Sequence, residues 1–139
     1  MIDIAKLKTQ LEQHEALRLK PYKDSVGKWT IGIGRNLDDV GISRAEALFM
    51  LDNDVDNVLT ELDKALPWWR TLSDVRQLVV ANMCFNLGMT RFLKFKKFLA
   101  AAQAGEFDLA AAEMLNSTWA TQVGIRATTL AGMMSTNLV

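Results

Sequence analysis

Glu15-Ala16-Leu17-Arg18-Leu19-Lys20-Pro21-Tyr22-Lys23-Asp24-Ser25-Val26-Gly27-Lys28-Trp29-Thr30-Ile31-Gly32-Ile33-Gly34 is where the chain changes its period. Upstream of it, Ile4, Leu7 and Leu11 recur at i, i+3 and i+7, so residues 2–13 read as a short amphipathic helix. Within it, aromatic and β-branched residues are punctuated by glycine and proline, the pattern of a β-hairpin or small meander. Its turn falls near Asp24-Ser25-Val26-Gly27-Lys28. Residues 35–42 read as a loop.

Downstream the chain reads as helical throughout. Ser43-Arg44-Ala45-Glu46 is a capping box, in which the Ser oxygen takes a backbone N–H and the Glu side chain reaches back. It opens a helix over about 44–65, along which Leu48, Leu51, Val55, Val58 and Leu62 keep helical spacing. Pro67 and Trp68-Trp69 mark a break, and the two indoles read as packing groups. From Asp74 to Leu87 the apolar residues are nearly continuous, so this helix is expected to be buried on all sides and to end at Gly88. Further helices fit about 95–104, 107–116 and 124–134. The expected fold is α+β and mainly helical. A small β-hairpin lobe (about 14–43) and a linking helix (44–65) join a larger all-helical lobe (66–139), with helix 2–13 packed on that lobe. A cleft between two such lobes is a common place for a ligand.

The bulk composition narrows the function classes. The chain has 139 residues, half of them hydrophobic, which suits one domain with a substantial core. Sixteen basic and sixteen acidic residues cancel, leaving no global basic footprint for nucleic acid. A local cluster, Arg91, Lys94, Lys96 and Lys97, reads as a solvated face, with contact to an anionic polymer as the alternative. One cysteine and one histidine allow neither a disulfide nor a Cys- or His-rich zinc site. Neither an N-terminal secretory signal nor a run long enough to span a bilayer is visible, so the chain is expected to fold in a cytoplasm.

Several motifs carry no chemistry. Gly32-Ile33-Gly34 lacks the third glycine of a dinucleotide fingerprint, and His14-Glu15 lacks the second histidine of a zinc protease. Asn116-Ser117-Thr118 matches a glycosylation sequon by chance. Cys84 and His14 would make a thiol–imidazole pair, but Cys84 lies in the most apolar helix and reads as a small hydrophobe.

Glu15 and Asp24 are different. Glu15 sits where the first helix gives way to extended chain. A carboxyl group at a helix C-terminus faces the negative end of the dipole, which favours the protonated form that a general acid needs. Asp24 lies at the hairpin turn, where a carboxylate stays solvated and ionised. Thr30 follows on the returning strand, with a hydroxyl suited to orient a water. Two carboxyl groups in different environments are the equipment of a glycosidase. On spacing alone, a plain helix-end Glu and a plain turn Asp remain the alternative.

The same twenty residues closely resemble the catalytic segment of the phage-type lysozymes, the endolysin muramidases of the T-even phage class. The shared pattern is Glu-x-Leu-Arg-Leu from Glu15, Tyr-x-Asp ending at Asp24, and Gly-x-x-Thr-Ile-Gly-x-Gly ending at Gly34. Ser43 to Val55 resembles the start of the family's interdomain helix, Asn82 to Gly88 its central helix, and Trp119, Gln122 and Arg126-Ala127 its C-terminal segment. The resemblance implies a monomeric, cofactor-free and metal-free glycoside hydrolase. Its substrate would be the β-1,4 bond between N-acetylmuramic acid and N-acetylglucosamine in bacterial peptidoglycan. Glu15 would be the general acid, Asp24 the second carboxylate and Thr30 the residue that positions the attacking water, with an inverting outcome. Asn36, Phe85 and Asn86 would line the substrate cleft, and Arg126 would support Glu15 as an ion-pair partner. The enzyme would accumulate in the host cytoplasm and reach the wall when another protein breaches the membrane.

The chain also departs from the family pattern. Arg35 stands where a histidine is common, and the long helix offers Asp54 as its expected partner. Ala16 replaces a frequent glycine, and Thr129 a frequent basic residue. The segment between Arg35 and Ser43 is short, so the small lobe is trimmed. Rival readings are a non-catalytic wall-binding module, a lytic transglycosylase and a cysteine amidase using Cys84.

Overall fold

The computed structural model describes all residues from Met1 to Val139. Two compact units divide the chain at Met50 and Leu51, and the boundary lies within one long helix. The first unit takes in the N-terminal helix, so its bounds differ from the 14–43 expected for the small lobe.

In the first unit, α1 spans Ile4–Glu15, β1 Arg18–Lys23, β2 Trp29–Gly32 and β3 Arg35–Asn36. Helix α1 starts two residues later than its apolar spacing suggests, because Asp3 accepts the Lys6 N–H (3.1 Å) and caps it. The helix also runs two residues past its expected end and stops at Ala16, so Glu15 is the last helical residue. The three strands form an antiparallel sheet in the order β1-β2-β3. Tyr22 faces Thr30 across the first pair and Asn36 faces Thr30 across the second. Residues 35 and 36 therefore belong to a strand, where a loop was expected. A two-residue strand has too little sequence to carry a period.

Ala16 closes α1 with φ +61° and ψ 147°, while its N–H donates to Glu12 O (3.1 Å). This is glycine's territory, and an L residue held there costs roughly 1–3 kcal/mol. Glycine at this position adds back about 0.4–1 kcal/mol of unfolded-state entropy. Ala16→Gly is therefore expected to stabilise by about 1 kcal/mol, raising Tm by roughly 3 °C in a chain of this size. Thermal unfolding followed by circular dichroism checks it, and an unchanged or lower Tm contradicts it.

Helix α2, Arg44–Ala65, opens on the expected capping box. Ser43 Oγ accepts from Glu46 N (3.1 Å), and Glu46 Oε1 accepts from Ser43 N (2.9 Å). The second unit continues through a 3-10 helix, Pro67–Thr71, into α3, Asp74–Leu87, which Ser73 caps and Gly88 terminates at φ +78°. Then follow α4 (Met89–Phe92), α5 (Lys96–Gln103), α6 (Phe107–Leu115), α7 (Thr118–Val123) and α8 (Ile125–Thr136). Ser117 caps α7 by accepting the Ala120 N–H (3.1 Å), which gives the sequon-like triplet a structural purpose.

The core lies in this second unit. Trp69, Phe92, Phe98, Leu62, Met83, Met114 and Met134 are its largest fully buried side chains. Helix α8 packs against α3 and α6, and α5 packs against α6. Arg76 fastens α3 to the end of α8: Nε donates to Met134 O (2.7 Å) and Nη2 to Ser135 O (3.2 Å). Trp69 is buried and donates Nε1–H to Asp63 Oδ1 (2.8 Å), so the indole pair packs as expected. One expectation fails. Helix α3 buries Val79, Val80, Met83, Cys84 and Leu87, but Leu78 and Phe85 are exposed. An apolar residue on every side of a helix does not bring a packing partner to every side. No helix of the chain is long and apolar enough to cross a membrane.

Candidate active site

Glu15, Asp24, Thr30 and Asn36 lie in the first unit; Phe85, Asn86 and Arg126 lie in the second. The end of α1 carries the Glu15 side chain to the backbone of Gly34. An ideal Cβ built on Gly34 would stand 2.9 Å from Glu15 Oε2, 3.0 Å from Cδ and 3.1 Å from Cγ. The carboxyl group thus rests on the bare face of this glycine.

Asp24 organises the turn between β1 and β2. Its Oδ1 accepts from Val26 N (3.0 Å) and Lys28 N (2.8 Å), while its own N–H donates to Lys28 O (2.9 Å). Both backbone donors fall on one oxygen, which leaves the second carboxylate oxygen for other work. Thr30 is the buried polar residue of the sheet, and its hydroxyl donates to Lys28 O (3.0 Å). With that proton committed, Thr30 Oγ1 can only accept a hydrogen bond from a water. Asn36 turns its amide to its own loop: Nδ2 donates to Asp39 Oδ2 (3.0 Å), and Oδ1 accepts from Asp39 N (2.9 Å).

Arg35 pairs with Glu46 (Nη1 to Oε1, 2.7 Å) and also donates to Gly41 O (3.1 Å). The expected Asp54 partner is therefore wrong. Glu46 sits in the first turn of α2, just after the chain reversal that leads out of β3, while Asp54 is eight residues, roughly 12 Å, further along the helix. The Arg35 guanidinium, followed by the two Ser43 hydrogen bonds, holds the Glu46 carboxyl at about 2, below its usual 4.5. A folded value below the unfolded one means that this contribution is complete above about pH 4.5. It is lost as the pH falls towards 2. Glu46→Gln is expected to unfold at lower denaturant than the parent at pH 7, with the gap closing between pH 4.5 and 2. Denaturant melts across that range check it, and a pH-independent gap contradicts it.

In the second unit, the half-buried Arg126 is held by Asn82: Nε and Nη2 both donate to Oδ1, at 2.9 and 2.7 Å. None of its hydrogen bonds uses Nη1. Arg126, Asn82 and the exposed Phe85 line one apolar cavity of about 290 Å³ together with Leu78 and Val55. Asn86 is not part of that lining; its Oδ1 accepts the Trp119 indole N–H (2.8 Å), which keeps its NH2 donors available. Cys84 is buried, and burial, aided by the charge of Glu61, pushes its thiol up to about 11. Such a thiol is a poor nucleophile near neutrality, which counts against a cysteine amidase.

The profile of the phage lysozyme family matches residues 12–135, nearly the whole chain and both units. The chain belongs to the phage lysozyme family. Its mainly helical α+β fold, with one small antiparallel sheet, is lysozyme-like. Among the relatives of this chain is a probable T4-type lysozyme 2 from Dictyostelium discoideum, 28% identical over 96% of this chain and 95% of that protein. An endolysin from Acyrthosiphon pisum secondary endosymbiont phage 1 is 30% identical over 76% of this chain and 72% of its own. The pre-baseplate central spike protein of Enterobacteria phage T4 is 28% identical over 84% of this chain but only 25% of its own. The alignment to the first of these runs over 162 positions, more than the 139 residues of this chain, so that relative carries segments with no counterpart here.

Sequence reasoning missed three features of the chain: the Gly34 seat, the Asn82 hold on Arg126, and the Trp119–Asn86 bond. Gly34 was visible as the last glycine of the Gly-x-Gly run. The other two join residues 44 and 33 positions apart, and no local spacing signals them.

Proposed function

We propose that the chain is an endolysin-type muramidase that hydrolyses the β-1,4 bond between N-acetylmuramic acid and N-acetylglucosamine in peptidoglycan. The observation that carries this reading is the seat of the Glu15 carboxyl against Gly34, at the end of α1 and inside the family match. A carboxyl group with one side against backbone has its open side defined, which is what directional proton transfer needs.

In this reading Glu15 gives its proton to the bridging oxygen as the C1–O bond breaks. A water adds to C1 from the opposite sugar face. One of its hydrogens bonds to Thr30 Oγ1, which is restricted to accepting, and the other passes to the Asp24 carboxylate. Configuration inverts, and solvent restores both carboxyl groups. Phe85 offers an exposed ring and Asn86 its free NH2 to the sugar, while Asn36 shapes the loop that follows β3. The free Nη1 protons of Arg126 suit an ion pair with Glu15. A monomer without cofactor or metal suffices for this chemistry. The endolysin relative supports accumulation in the host cytoplasm and release to the wall at lysis. We also keep, as part of this proposal, the division into a small lobe (14–43), a linking helix (44–65) and a helical lobe (66–139).

The test is incubation with purified, insoluble bacterial sacculi, measuring bound protein and released muropeptides separately. Catalytic release of soluble disaccharide-containing fragments is expected. Binding without release points to a wall-binding module, and release of sugar-free stem peptides points to an amidase; either overturns the proposal.

A further inference from the structure

We propose that Gly34 is a positioning residue for the proposed general acid: its missing side chain forms the seat that fixes the Glu15 carboxyl group. This inference rests on the muramidase reading. Of the eight glycines in the chain, only Gly34 has any neighbour within 4 Å of where a Cβ would stand, and the three nearest atoms all belong to Glu15. Three bonded atoms, Cγ, Cδ and Oε2, lie at 3.1, 3.0 and 2.9 Å from that point, so the end of the side chain lies along the glycine face.

Backbone conformation does not explain this glycine fully. Gly32, two residues earlier, has the same φ of +70° and open space on its Cβ side. Gly32 is thus a natural control: the same demand on φ, without the carboxyl neighbour. The other end of the restraint is Ala16, whose N–H bonds back to Glu12 O (3.1 Å) and pins the last turn of α1. Glu15 is exposed, and an exposed glutamate otherwise samples many rotamers. A fixed Cα on one side and a flat backbone contact on the other narrow that range.

A methyl group on Gly34 would push the carboxyl back by several tenths of an ångström. The fold tolerates this, because what moves is the far end of a flexible side chain. Proton transfer does not, because the acid must stand within hydrogen-bonding reach, about 2.6–3.2 Å, of the leaving oxygen.

The experiment compares Gly34→Ala with Gly32→Ala in the full chain on soluble peptidoglycan fragments. Both place an L side chain at φ +70°, so both are expected to lower Tm to a similar degree. Only Gly34→Ala is expected to lower kcat, on the order of tenfold to a hundredfold, with KM nearly unchanged and the general-acid limb of the pH–rate profile displaced. Gly32→Ala keeps the parental kcat and profile. Should the alanine pair fold poorly, Gly34→Asn and Gly32→Asn repeat the comparison, since asparagine tolerates positive φ yet still carries a Cβ. Equal kcat and equal pH profiles within either folded pair overturn the inference. If the parent cleaves and Glu15→Gln does not, that result removes the seat alone. A parent that releases no muropeptides removes the muramidase reading and the seat with it.

Discussion

Glu15→Gln is expected to lose peptidoglycan hydrolysis by about a thousandfold, the middle to upper part of what a general acid contributes, while melting within a degree or two of the parent. The substitution keeps the shape of the side chain and removes only the proton that the proposed reaction delivers to the leaving oxygen. Little in the fold depends on that charge: Glu15 is exposed, and the pair proposed for it with Arg126 would be a surface pair worth under about 1 kcal/mol. Glu15 takes no part in the three ion pairs of the chain, which join Lys28 to Asp39, Arg35 to Glu46 and Arg70 to Asp63. Exposed substitutions of this kind usually shift stability by under about 0.5 kcal/mol. The amide still fits against Gly34, so the seat is retained. Sacculus digestion and thermal melts on the same preparations separate the two effects. Retained hydrolysis would assign the acid elsewhere, and a parallel loss of Tm and activity would make Glu15 a structural residue.

Asp24 has one duty in the fold and a second proposed in the reaction, and two substitutions divide them. Its Oδ1 accepts two backbone N–H groups in the β1–β2 turn, at 3.0 and 2.8 Å, and its charge is the proposed proton acceptor. Asn keeps an oxygen in that place and removes the charge; Ala removes both. Asp24→Asn is expected to keep the parental Tm and lose roughly a hundredfold in kcat. Asp24→Ala is expected to lose the same activity and, in addition, about 1–2 kcal/mol of stability from the unpaired turn N–H groups. Steady-state kinetics with denaturant melts check both. Full activity in Asp24→Asn would leave Asp24 as a turn former only.

Local signals reached far into this fold. The capping box at Ser43 located the start of α2, and Gly88 located the end of α3, because caps and left-handed glycines are short-range devices that a sequence carries in full. The meander was legible for the same reason, through Asp24 and Gly27 in its turn. Helices α4 and α7 were missed: at four and six residues they are too short to show a period. Arg35 was given to Asp54 when Glu46, already assigned to the capping box, serves Ser43 and Arg35 together. Exposure of Leu78 and Phe85 depends on what packs against α3, which composition does not state. The site follows the same division. Glu15, Asp24 and Thr30 stood in one contiguous segment and were named from it, whereas the Asn82–Arg126 contact exists only through tertiary folding.

One digestion tests the account at its root: sacculi cleaved by the parent and by Glu15→Gln in H2(18)O, with the new glycan ends weighed by mass spectrometry. Hydrolysis predicts one 18O atom at C1 of each new reducing N-acetylmuramic end, from the parent only. Unlabelled anhydro ends, or labelled ends from Glu15→Gln in equal yield, would contradict it.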